Sequence, residues 1–130
     1  SAQRLARERN NPYIENAHIL EGIYENDESI LSFILGKCGA STTDIQHQIN
    51  TIISSFPKVT GADVTLSRDA ASMLSTAQDV ARSMKDTYVT IEHLIISMSR
   101  GSDEISRLFK QNSITENAIM AAIGELRKGQ

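Results

Sequence analysis

The chain is written twice, and no other feature constrains its fold as much. Residues 2–23 laid over 77–98 without a gap give six identities: Ala2/Ala77, Gln3/Gln78, Ala6/Ala81, Arg7/Arg82, Tyr13/Tyr88 and His18/His93. Random pairing at ordinary composition gives about one or two. Apolar character is also kept at Leu5/Val80, Ile14/Val89, Ile19/Leu94, Leu20/Ile95 and Ile23/Met98. After a one-residue gap near 24–30 the spacing changes from 75 to 74. Leu31/Ile105, Ile34/Leu108, Leu35/Phe109, Ile45/Ile119, Ile49/Ile123 and Ile52/Leu126 then extend the match over nearly the whole chain. An internal duplication of this length means one supersecondary unit used twice.

Each copy reads as four short helices. In the second, Ser67 can cap a helix over 68–84, along which Ala70, Leu74, Ala77, Ala81 and Met84 recur at three- and four-residue steps. Thr90 can cap the next, running to about Ser99. Gly101 breaks the chain, and Ser102 starts a helix carrying Ile105, Leu108 and Phe109. Thr115 caps the last, with Ile119, Ala122, Ile123 and Leu126 on one face and Gly129 at its end. The first copy predicts helices over 2–10, 16–25, 28–37 and 42–54. No stretch shows sustained strand alternation between hairpin turns. The expected fold is all-α: two tandem pseudo-symmetric four-helix repeats, 1–53 and 67–130, within one domain. The segment 54–66, "SSFPKVTGADVTL", crosses between them. Pro57 and Gly61 punctuate it, its β-branched residues suit an extended path, and Phe56, Val59 and Val64 are expected to pack on the domain.

Composition sets the remaining bounds. With 130 residues, 40% of them apolar and 22% charged, the chain can bury a core. It has no Trp, so Ile, Leu, Val, Met and Ala must build that core. A net charge of −3 and a pI near 5.6 argue against nucleic-acid binding. Arg4, Arg7 and Arg9, interrupted by Glu8, read as a solvated helix face. The single cysteine, Cys38, excludes an internal disulfide and a cysteine-rich zinc site, and the cytoplasm is the natural compartment. No apolar run reaches the roughly 18 residues of a membrane helix, and no signal peptide is present. A first residue other than Met suggests a piece of a longer polypeptide.

The chemistry of catalysis is missing from the pattern. There is no G-x4-G-K-[ST] phosphate loop, so the segment is not expected to hydrolyse ATP by that route or to hold a cofactor. Cys38 precedes Gly39 at a helix end, where the helix dipole disfavours a thiolate. His18, His47 and His93 lack metal-ligand spacing. His18 and His93 sit near the third position of short helices, where a ring can pack while bonding a backbone group, and a structural role outweighs catalysis. Tyr13 and Tyr88 suit either a helix junction or a binding surface.

Four sets of residues carry a family resemblance: the paired "A-Q-x-[LV]-A-R" helices, the paired "Y-[IV]-x3-H-[IL]-[IL]" elements, the crossover "P-K-V-x-G" followed by "L-S-R-D-A", and the ending "A-I-x-E-L-R-K-G". Together they resemble the amino-terminal domain of the Clp/Hsp100 AAA+ unfoldases over essentially all 130 residues. The crossover and ending are most similar to the ClpB disaggregase branch. Family domains usually have about a dozen more residues before the point matching Ser1. The resemblance implies a non-catalytic recruiting domain whose shallow groove takes exposed apolar segments of unfolded or aggregated proteins, or an adaptor peptide. It also implies a hexameric parent ATPase that carries ATP and Mg elsewhere, with the isolated domain a monomer.

In related domains that groove involves the first helix of the second repeat and the turn after it. The matching positions are Leu74, Val80, Tyr88, Val89 and His93, and the same resemblance implies that Asp86 and Glu92 are polar surface positions of the binding site. Leu74 and Val80 fit the core stripe equally well. Asp86 can also simply end one helix, and Glu92 can favour the start of the next. Two alternatives stand beside client recruitment: recognition of one partner helix, as in the ATPase that recycles type VI secretion sheaths, and a stand-alone adaptor. Neither membrane nor nucleic acid is an expected partner.

Overall fold

The computed structural model describes residues 1–61 and 63–129. Seven helices and two very short strands follow in the order α1 (Ala2–Glu8), β1 (Tyr13–Ile14), α2 (Asn16–Lys37), α3 (Thr42–Ser55), β2 (Thr65–Leu66), α4 (Arg68–Ser83), α5 (Ile91–Arg100), α6 (Glu104–Gln111) and α7 (Glu116–Lys128). The fold is all-α, as the repeat predicts. The expected helices 16–25 and 28–37 run together as α2, interrupted only where Asp27 takes φ −142°, ψ 45°. The second copy has Gly101 and Ser102 at the equivalent place, and there the chain separates into α5 and α6.

The caps explain the boundaries. Ser67 Oγ accepts the Ala70 N–H at 3.0 Å and Thr115 Oγ1 accepts the Ala118 N–H at 3.1 Å, which starts α4 and α7 where the sequence places them. Asp103, not Ser102, starts α6: its carboxylate accepts from both the N–H and the hydroxyl of Ser106. At the end of α2, Gly39 adopts φ +82° so that the Ala40 N–H can return to the Leu35 carbonyl at 2.9 Å.

One continuous core joins the copies. Leu20, Leu31, Ile34, Leu35, Ile45 and Ile49 of the first copy and Ile95, Ile96, Met98, Phe109, Ile119 and Ile123 of the second are all buried in the same cluster. Side chains of this size contribute about 1.5–3 kcal/mol each on burial. A buried bond from Asn16 Nδ2 to Asp103 Oδ2, 2.7 Å, also ties the two copies together.

The crossover does more than span. β2 pairs with β1 in parallel, with Tyr13 opposite Thr65 and Ile14 opposite Leu66. Asn10 and Asn11 extend the seam: the Asn10 carbonyl accepts the Val59 N–H and the Asn11 side chain donates to the Pro57 carbonyl. Phe56 packs on the core and against the His18 ring, with centroids 5.6 Å apart. Val64 is half-buried, but Val59 is 40% exposed and does not pack as expected, because its backbone rather than its side chain holds the segment. Among the described residues no helix is long and apolar enough to cross a membrane.

Candidate functional site

The junction between the first two helices is built to one plan in both copies. Asn10 and Lys85 both take positive φ, 58° and 60°. The next residue folds back alike: the Asn11 N–H meets the Ala6 carbonyl, and the Asp86 N–H meets the Ala81 carbonyl, both at 2.9 Å. Each histidine then closes its helix start. His18 Nδ1 accepts from the Glu15 N–H at 2.9 Å, and His93 Nδ1 accepts from the Thr90 N–H at 2.8 Å. A ring nitrogen that accepts in this way leaves the proton on Nε2, which reaches Asn11 Oδ1 in one copy and Asp86 Oδ2 in the other. In the repeated Tyr-x4-His the histidine is therefore a helix-capping device, while both tyrosines are exposed.

The copies diverge in charge. Asn11, Ala17 and Ile53 of the first copy are replaced at the matching positions of the second by Asp86, Glu92 and Arg127. Those three meet. The Arg127 guanidinium donates to Asp86 Oδ2 at 2.8 Å and to Glu92 Oε1 at 2.9 Å, and His93 Nε2 lies 2.6 Å from Asp86 Oδ2. Bonding to Arg127 and then to His93 holds the Asp86 carboxyl below its ordinary pKa, while the two acids raise that of Arg127. The network floors an open depression of about 450 Å³ lined by Asp86, Thr87, Tyr88, Thr90, Glu92, His93 and Arg127.

The sequence-derived positions separate here. Tyr88, 77% exposed, lines the depression, while Val89, 43% exposed, follows it in the chain outside that lining. Asp86 and Glu92 are half-buried in the network. His93 is fully buried, and only its ring edge reaches the site. Val80 is corrected to the core: at 2% exposure it faces inward with Met73 and Ala77 and cannot meet a client. Leu74 is half-buried against the core and does not line the depression. Sequence reasoning missed Arg127, which lies 35 and 41 residues from its partners; the neutral-to-charged changes at three repeat-equivalent positions are the signal that could have found it.

Burial pushes the Cys38 thiol up, away from the thiolate. No group of His, Cys, Asp and Glu among the described residues could hold a metal. Of the amino-terminal arginines, Arg4 is paired with Glu8 and Glu25, and Arg9 donates to Asn50 Oδ1.

The family model of the Clp repeat (R) N-terminal domain matches residues 1–112. Over 129 residues the chain is 33% identical to the chaperone protein ClpB of Porphyromonas gingivalis, covering 99% of this chain and 15% of that protein, so the chain spans about a seventh of that relative's length. The solved Hsp104 N-terminal domain from Candida albicans superposes with a TM-score of 0.81 at 20% identity, covering 99% of this chain and 85% of that one. A chain solved in work on the coevolution of the ATPase ClpV and the TssB-TssC sheath of type VI secretion superposes with a TM-score of 0.74 at 16% identity, covering 96% and 79%.

Proposed function

The chain belongs to the Clp repeat N-terminal domain family, and from that premise we propose that it is the non-catalytic recruiting domain of a ClpB-like, ATP-dependent disaggregase. Its clients are unfolded or aggregated proteins, which it meets through their exposed apolar segments. The observation that carries this reading is the exposed pair Tyr88 and Val89, of which Tyr88 lines the depression floored by Asp86, Arg127 and Glu92.

Physical chemistry suits that task. An apolar ledge attracts any exposed hydrophobic chain without reading its sequence. Two carboxylates against one guanidinium leave the lining net negative, which disfavours folded acidic surfaces. The depression is shallow, so affinity is low and a client can be handed on.

The test is the double change Tyr88→Ser, Val89→Ser. Both side chains are exposed, so far-UV circular dichroism should be unchanged. Binding to casein, an unfolded client, should weaken about fivefold or more when followed by fluorescence anisotropy. Unchanged casein affinity in a folded variant would overturn the proposal.

A further inference from the structure

The two junctions differ in what lies on top of them. In the first copy β2 covers the junction: the carbonyls of Pro12 and Ile14 accept the N–H groups of Thr65 and Ser67 at 3.2 and 3.0 Å. The repeat-equivalent carbonyls are those of Thr87 and Val89. Among the described residues, no hydrogen bond engages the N–H or C=O of Thr87, Tyr88 or Val89. The frame around them is nonetheless that of β1, with the same positive-φ residue before it and the same histidine-closed cap after it, Thr90 being extended as Glu15 is. The second copy therefore repeats the frame with no strand paired to it: Thr87 and Tyr88 form a bend and Val89 has no regular structure. Exposure agrees: Ile14 is half-buried beside β2, while its counterpart Val89 is 43% exposed.

We propose that Tyr88–Val89 is an open strand edge that receives a client segment in extended form, in parallel register, as β1 receives β2. The chain's own crossover shows the kind of occupant that fits, a short stretch such as Thr65–Leu66 with a β-branched and an aliphatic side chain. Main-chain pairing supplies affinity that does not depend on client sequence, which a binder of many unfolded chains needs. The negative lining beside the edge favours segments flanked by Lys or Arg. This inference rests on the recruiting role above and specifies its geometry.

The test uses the 130-residue chain, nitrogen-15 labelled, and a synthetic peptide alternating Val and Thr between terminal lysines. In a parallel ladder the residue whose carbonyl accepts also donates its N–H, so the Val89 amide is the reporter. Peptide binding should slow exchange of that amide about tenfold or more. The same peptide with alternate amides N-methylated should bind about tenfold more weakly. Equal binding of both peptides with Val89 exchange unchanged would overturn strand pairing and leave client recruitment standing. Failure of both peptides and of casein to bind would overturn recruitment as well. Slowing that grows with protein concentration and without peptide would assign the edge to a second copy of the chain, and so would also overturn the proposal.

Discussion

The Nδ1 atom of His18 accepts the backbone N–H of Glu15, so its proton sits on Nε2 and points at Asn11, an amide that stays neutral. His93 holds the same position but points at a carboxylate. The consequence for His18 is measurable. Burial, helped by the charge of Arg9, pushes its pKa down to about 4, against about 6.5 in an unfolded chain. Between those values the unfolded chain binds a proton that the folded chain refuses, so stability falls as pH drops through that window. The contribution is complete above about 6.5 and lost by about 4, a difference on the order of 3 kcal/mol. Urea melts of the parent and of His18→Gln at pH 7, 6, 5 and 4.5 check this. The stability gap between the two proteins should narrow steadily toward pH 4.5, and a gap that stays constant would show that His18 protonates as freely folded as unfolded.

The crossover shows what sequence can and cannot reveal at the scale of an element. Ser67, Thr90 and Thr115 were legible as helix starts because capping is local, decided within four residues. The duplication was legible because thirty or more residues vote on it together. The pairing of β1 with β2 was not, since two-residue strands leave no alternation to read and their partners lie 52 residues apart. Val80 and Leu74 share one helix, and its period alone places both near the buried stripe; which of them turns fully inward is settled by how α4 packs on α5. Val59 misled for a related reason, because its N–H is held by Asn10 and its side chain is left over. The crossover is thus anchored by Phe56 and by main-chain bonds. Phe56→Ala should cost about 2 kcal/mol, less than for a fully buried ring, whereas Val59→Ala should stay within about 0.5 kcal/mol. Chemical denaturation of the two variants side by side distinguishes them, and equal losses would mean that the side chain of Val59 also bears on the fold.

At the scale of the whole molecule, a duplicated chain has two ways to be stable: each copy can fold alone and dock, or neither can fold without the other. The packing selects the second. α2 of the first copy lies against α7, α5, α4 and α6 of the second, and α3 lies against α6. Residues from both copies fill one buried cluster. Residues 67–130 alone would lose the cover of α2 and α3 over a cluster that includes Ile95, Ile96, Ile119 and Ile123. Net stabilities are only about 5–15 kcal/mol, while uncovering four such side chains costs about 6–12 kcal/mol. The second copy alone should therefore be largely unfolded by circular dichroism, and the full chain should unfold in a single transition. Methyl signals of Ile34 and Ile49 in the first copy and of Ile95 and Met98 in the second provide separate probes in one urea titration. All four should disappear at a common midpoint. Two midpoints, or a folded 67–130 fragment, would mean that the copies are independent units, and the open edge at Tyr88–Val89 would then belong to a half that can move on its own.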